Sequence, residues 1–426
     1  MKDSNTGYAD QIVDHLFRHQ SGKMISVLTR IFGIHNLGMV EDVVQEAFLK
    51  AMQVWPLNQI PDNPAGWLMQ TARNKAIDII RRQQNFQQYS KELSHQLQQE
   101  TEATVEQFFS DSEIADSQLR LIFACCQPAL KEEDQIAFTL KTVSGFGSNE
   151  IAKALVTNET TIQKRLYRAK QFIKEHNIQL VIPSGKELSH RLETVYTVLY
   201  LLFNEGYNSS KADELIRKDL CAEAMRLCML LSNHKAGRMP ATHALLSLMC
   251  FHASRFDSRV DENNTIILLQ YQDRTKWNQE LIDQGYYYLS LSSAGNMISV
   301  YHIESAIAAE HAMAISFAAT NWHRILGLYD LLLVQKTTPT VILNRSIVLA
   351  HLNRVGEAIA EIRGIENIDF LIESQYIYNA VLGDLFLKQK KNDQAEKYLL
   401  NACRLTHSQP EKNLIAEKLD FLKRNN

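Results

Sequence analysis

Residues 145–174, GFGSNEIAKALVTNETTIQKRLYRAKQFIK, hold two short helical patterns separated by a few polar residues. In the first, Ile151, Ala152 and Leu155 recur at helical spacing, and Ala152 is small enough for a second helix to approach closely. In the second, Ile162, Leu166, Ala169 and Ile173 form a stripe for burial, which leaves Gln163, Lys164, Arg165, Arg168, Lys170 and Lys174 on the outer faces. The pattern predicts a helix-turn-helix with a basic second helix. Such a helix can enter a major groove, where Gln and Arg reach base edges and Lys reaches phosphates. A surface helix with merely solvated charges has the same composition, so the rest of the chain must decide between the two.

Composition bounds the choice. The chain has 426 residues, 45% of them hydrophobic, enough for two to four domains with cores of their own. Only 16 Gly and 8 Pro, few inside apolar runs, point to an all-α protein. No stretch approaches the roughly 18 to 20 apolar residues that a membrane span requires, and MKDSNTGYADQ has no apolar signal core, so a cytoplasmic protein without membrane contact is expected. The six cysteines form no CxxC pair; Cys125 and Cys126 sit in the apolar run LRLIFACC and are expected to be reduced core thiols rather than metal ligands. The net charge of −3 is low for a protein that holds DNA strongly unaided. Either the basic patch is local or a partner supplies most of the DNA contact.

Upstream, residues 9–32 carry a helical pattern through Ile12, Leu16, Phe17, Met24, Val27, Leu28 and Ile31. A second helix is expected over about residues 39–54, with Val43, Ala47, Leu49 and Met52 inward and Glu41, Asp42, Gln45 and Glu46 outward. That acidic face is either simply solvated or a dock for a basic partner helix. The loop WPLNQIPDNP follows, its three prolines unable to extend the helix. Asn63 and Pro64 then suit the N-cap and first turn of a long helix, AGWLMQTARNKAIDIIRRQ. Trp67, Leu68, Ala72, Ala76, Ile79 and Ile80 can build its inner side, while Arg73, Asn74, Lys75, Arg81 and Arg82 stand outside. Beside an adaptable loop, such a basic face could hold a DNA strand and accept bases taken out of the stack.

DVVQEAFLKAMQ followed by NPAGWLMQTARNKAIDIIRR resembles region 2 of the sigma-70 family of RNA polymerase sigma factors, in the extracytoplasmic-function (ECF) group, and residues 145–174 resemble region 4 of the same group. The resemblance implies core RNA polymerase, through its β′ clamp and β flap, and promoter DNA as partners. It places Asp42, Gln45, Glu46 and Phe48 against the β′ clamp helices. It assigns the loop from Trp55 to Asn63, Asn58 included, to capture of a flipped −10 base, and Trp67, Arg73, Asn74, Lys75 and Arg81 to opening and contacting the −10 element. Thr161, Gln163, Lys164, Arg165 and Arg168 would face the −35 element. The implied division is 8–84 for region 2, 85–116 for a connector and 117–180 for region 4. The connector, rich in Gln, Ser and acids, has little apolar periodicity and is expected to be flexible.

The C-terminal half is helical throughout. RLETVYTVLYLLFNEGY is expected to stop near Gly206, and amphipathic runs follow over about 212–232, 240–255, 278–291, 303–319 and 322–335. LGDLFLKQKKNDQAEKYLLNA fits a tetratricopeptide pattern, and NRSIVLAHLNRVGEAIAEI aligns with it, Ala358 opposite Ala395 and Leu349 opposite Phe386. The division expected is a helical regulatory domain over 186–300 and tetratricopeptide-like repeats over 301–426. FACCQPAL, LYLLFNEGY and YQDRTKW together resemble the ECF subgroup with a large fused helical domain, which implies regulation through that domain by intramolecular contacts, a protein or a ligand. Where that subgroup commonly has His after the paired cysteines, Gln127 stands here.

No catalytic residues, metal ligands or cofactor are expected. Asp257, Asp261, Asp273, His252, His302 and His311 lack metal-ligand spacing, and no GxxxxGK[ST] motif or nucleophile elbow occurs. Glu205-Gly206-Tyr207 and Gln272-Asp273-Arg274 interrupt apolar helices, as buried ion pairs, helix-terminus contacts or a ligand pocket would. The expected function is promoter-specific initiation by a sigma factor with a regulatory C-terminal domain. The alternatives are a tetratricopeptide-like scaffold or a helix-turn-helix regulator of another kind.

Overall fold

The computed structural model describes the backbone of residues 2–58, 60–87, 103–155, 157–176, 178–208, 216–261 and 266–425. Among these the regular elements are helices, and the one β-bridge pairs Val260 with Ile266. The chain divides into two compact units, residues 1–202 and 203–426.

The first unit is built on α1 (Lys2–Phe32), which packs against α2 (Leu37–Asn58) and α3 (Pro64–Gln87) and also against α4 (Asp111–Cys125) and α5 (Glu132–Ser144). Met24, Val27, Leu28, Val40, Val44, Ala51, Leu68, Ala72 and Ala76 fill the interior of its first three helices. Two expectations for α2 are corrected. Leu49 and Met52 are 55% and 44% exposed, because the buried stripe runs through Val40, Val44, Phe48, Ala51 and Trp55 instead. The helix also continues past Pro56 to Asn58, since so near its end proline costs only one backbone bond. Asn63 caps α3 as expected, its Oδ1 accepting from Gly66 N at 2.9 Å.

Helices α6 (Ser148–Ala154) and α7 (Glu159–Glu175) complete the helix-turn-helix. Gly145, in the left-handed region at φ 68°, ends α5 and turns Phe146 into the core. Ile151, Ala152, Ile162, Leu166, Ala169 and Ile173 are all buried, as their spacing requires. Asn158 caps α7, accepting from Thr161 N at 2.8 Å, a bond worth about 1 kcal/mol. Helix α4 begins at Asp111, ahead of the expected boundary at 117, and residues 103–108 are helical; residues 88–102 of the expected connector lie outside the described residues.

Cys125 and Cys126 are buried, and burial pushes both thiols up, Cys126 to about 12. Gln127 is buried too, its Oε1 accepting from Arg191 Nη2 at 3.0 Å while Arg191 Nη1 donates to Phe123 O at 2.9 Å. This ties the start of α8 (Gly185–Tyr207) to the end of α4.

The second unit stacks helix on helix: α9 (Lys218–Asn233), α10 (Pro240–Ala253), α11 (Gln279–Ser292), α12 (Val300–Met313) and α13 (Trp322–Gln335). The run expected to 319 stops at Met313, and α9 begins at Lys218; residues 212–215 of the expected run lie outside the described residues. Gly206 lets α9 approach α8, since a Cβ there would meet Cys221 Sγ at 2.7 Å and Arg217 O at 2.9 Å.

Two helical pairs end the chain, α14 (Pro339–His351) with α15 (Val355–Arg363), then α17 (Tyr376–Lys388) with α18 (Asn392–Leu405). Ala358 and Ala395 are fully buried at the two crossings, with Leu349 and Phe386 in matching core positions. The turns repeat as well. Asn353 and Lys390 both adopt positive φ, and Arg354 N donates to Leu349 O just as Lys391 N donates to Phe386 O. Between the pairs, α16 (Ile368–Ser374) lengthens the repeat, and α19 (Gln409–Asn425) closes the stack through Ile415, Leu419 and Leu422.

Candidate nucleic-acid interface

On α2, Asp42, Gln45 and Glu46 are exposed, and helical spacing sets Leu49 and Met52 beside them. The face is therefore mixed acidic and apolar. Phe48 borders this face but is turned into the core, 4% exposed, its ring 4.9 Å from Phe17.

Helix α3 presents the basic face. Trp67 is half-buried, edge-on to the buried Trp55 at 5.5 Å, so the expected loop begins on an aromatic pair inside the domain. Arg73 is half-buried and ion-paired with Glu106 at 2.7 Å. Asn74 is exposed and accepts from Gln70 at 2.8 Å. Lys75 pairs with Glu46, which joins the basic face of α3 to the acidic face of α2. Arg81 is exposed further along; Asn58 ends α2, and its side chain lies outside the described residues.

On α7, Gln163 and Lys164 are exposed and Arg165 is half-exposed, one turn beyond the cap. Thr161 is engaged in the cap itself, its Oγ1 donating to Asn158 Oδ1 at 2.9 Å. Arg168 has an exposed side chain whose guanidinium is held by Asp134 through two bonds of 2.6 and 3.0 Å, and its pKa is raised first by that hydrogen bond. Asp134 is buried, so this pair fixes α7 on α5. Nothing in the spacing of α7 distinguishes Arg168 from Arg165, because the partner is 34 residues away. Lys170 pairs with Glu41 at 2.6 Å, and α7 packs beside the 3-10 turn Ile34–Asn36.

Three family models match the chain: Sigma-70 region 2 over residues 16–86, Sigma-70, region 4 over residues 120–173, and a family of unknown function (DUF6596) over residues 191–293. An uncharacterized protein of Rhizobium meliloti (strain 1021) is 31% identical over 398 residues, 93% of each chain. The probable ECF RNA polymerase sigma factor SigI of Mycobacterium tuberculosis is 22% identical over 43% of this chain and 60% of its own. The ECF RNA polymerase sigma factor SigX of Bacillus subtilis (strain 168) is 22% identical over 34% of this chain and 73% of its own. No solved structure matches. With both region models in order along the first unit, a relative matched over nearly its full length, and further helices beyond, the chain belongs to the sigma-70 family, in the ECF group, and carries a large helical C-terminal extension.

Proposed function

We propose that this sigma factor docks on the β′ clamp of core RNA polymerase through the α2 face of Asp42, Gln45, Glu46, Leu49 and Met52. The α3 face then opens and reads the −10 element, and Gln163, Lys164 and Arg165 of α7 read the −35 element. The β flap takes the region 4 domain, and the C-terminal extension gates the assembly. The observation that carries this reading is the division of labour on the surface of the first unit. An acidic, partly apolar helix face suits a protein partner. Two basic faces suit DNA phosphates and base edges.

The low net charge fits a factor that contacts DNA only once polymerase supplies the bulk of the affinity. Sigma factors are transcription initiation factors, not enzymes, and the residues named act by binding alone. Transcription in vitro with purified core polymerase, on a template bearing the segment upstream of its own coding sequence, tests the reading. A discrete start site that requires this protein supports it. Absence of any promoter-dependent transcript, with polymerase missing from pull-downs, overturns it in favour of a helical scaffold.

A further inference from the structure

Three arginines converge in the second unit where α8, α10 and α12 end. Arg259 lies over the Tyr207 ring, 3.6 Å from its centroid, with Nη1 donating to Tyr207 O and Nη2 to Asn208 Oδ1 at 2.7 Å. Arg255 Nη2 donates to Tyr207 Oη at 2.5 Å and to His252 Nδ1 at 3.3 Å. Arg274 Nη1 donates to His311 O and Ala314 O, at 2.6 and 2.8 Å, the carbonyls that end α12. Arg255 and Arg274 share the Trp277 ring, 5.7 and 4.5 Å from its centroid.

Helix termini and aromatic faces thus position the three cations but do not neutralise them. Among the described residues no ion pair joins any of the three to a carboxylate, and three nearby acids are engaged elsewhere. Asp257 pairs with Lys218, Asp273 caps Thr275, and Glu310 pairs with Arg324. Burial first, then Arg255, lowers the pKa of Arg274 and contributes to that of Arg259. The histidines respond in the same sense: His252, beside Arg255, is held well below its ordinary value by burial first and then by Arg255, and His311 is pushed down to about 3 by burial and then by Arg255 and Arg274.

A second, independent feature marks the same place. Arg274 Nη2 and Trp277 Nε1 are buried donors without a hydrogen-bond partner, and Trp277 is 7% exposed. Buried donors are ordinarily satisfied, and clustered guanidiniums ordinarily have counter-charge. One small oxyanion would supply both. Arg255, Arg259 and Arg274 are each partly exposed as whole residues, which gives such an anion a route to them from solvent.

We propose that Arg255, Arg259 and Arg274, with Trp277, form a binding site for a phosphate group, either free or as a small phosphomonoester. Planar guanidinium forks match the several oxygens of a phosphate dianion better than a single carboxylate does. Most of the site lies in the segment matched by the family of unknown function, and the inference does not depend on the transcriptional reading.

Calorimetric titration of the full-length protein with inorganic phosphate, and separately with glucose 6-phosphate, at ionic strength held constant with chloride, tests it. One saturable site per chain is expected, weakened at least about tenfold by Arg255→Gln and unchanged by Lys397→Gln on the exposed face of α18. Binding of the sugar phosphate alone identifies the phosphomonoester as the ligand class. Arg259→Lys keeps the charge but loses the fork, and is expected to weaken binding as well. If both arginine variants fail to fold, phenylglyoxal labelling of the wild-type protein read by mass spectrometry replaces them: phosphate is expected to protect Arg255, Arg259 and Arg274 but not Arg226. No saturable binding of either probe, equal affinity in folded variants, or equal labelling with and without phosphate overturns the proposal.

Discussion

Lys170 Nζ on the second helix of the helix-turn-helix lies 2.6 Å from Glu41 Oε2 on α2, closing an ion pair between residues 129 positions apart in the chain. The pair fastens one DNA-facing helix to the helix that carries the acidic face. It is accompanied by a close approach of α1 to α5, in which a Cβ on Gly22 would meet Val143 O at 1.8 Å. The two helical domains of the first unit are therefore packed on each other, an arrangement unlike that of two readers spread along promoter DNA.

Gly22→Ala is accordingly expected to weaken this packing by about 1–3 kcal/mol, since the backbone carbonyl has nowhere to yield. Lys170→Gln removes a half-exposed ion pair worth at most about 1 kcal/mol, and should act in the same direction more weakly. Small-angle scattering of the free protein is expected to show a larger radius of gyration for Gly22→Ala, and band shifts with −35 duplex tighter binding. An unchanged radius would show that the close packing does not restrain the two domains.

Arg168 and Lys164 lie one turn apart on α7 but are expected to fail differently when replaced. Arg168→Ala strands the buried Asp134 carboxylate, costing about 1–3 kcal/mol, below the full buried-pair value because the guanidinium is half exposed. Lys164→Ala should leave the melting temperature unchanged and reduce the salt dependence of polymerase-bound promoter affinity by about one phosphate contact. Thermal melts and salt titrations of both variants separate the roles.

On α2 the exposed and buried residues make a similar pair. Asp42→Ala with Gln45→Ala is expected to change stability by less than about 0.5 kcal/mol while lowering affinity for core polymerase. Phe48→Ala, against the Phe17 ring, should cost about 3–5 kcal/mol of stability. Equal loss of polymerase binding in a still-folded Phe48→Ala protein would mean that its ring acts at the interface as well.

Acid should destabilise the second unit. His311 and His351 have pKa values lowered to about 3 and about 4, chiefly by burial, from 6.5. The unfolded chain therefore binds protons that the native state refuses, and stability falls as pH drops below about 6.5 toward those values. His311 brings a slope approaching about 1.4 kcal/mol per pH unit, and His351 less because solvent screens it. Melting temperatures from pH 7 to 5 are expected to fall, and to fall less in His311→Gln.

Local sequence determined much of this protein. The spacing of Ile162, Leu166, Ala169 and Ile173 suffices to make α7 and choose its buried face, because helical period is a property of consecutive residues. Asn63 before Pro64 marks the start of α3, and the matched positions of Ala358 and Ala395 reveal the repeat, for the same reason. Family resemblance added the order of the two DNA-facing regions. The sequence pattern points Leu49 and Met52 inward because several apolar stripes are possible on α2; the positions of α1 and α3 select the one through Phe48 and Trp55. Tertiary structure alone decided which charges are spent. Arg168 is taken by Asp134, Lys170 by Glu41, and Arg255, Arg259 and Arg274 meet without a carboxylate among the described residues. A charge acts on whatever folding brings within a few ångströms, and no periodicity along the chain encodes that distance.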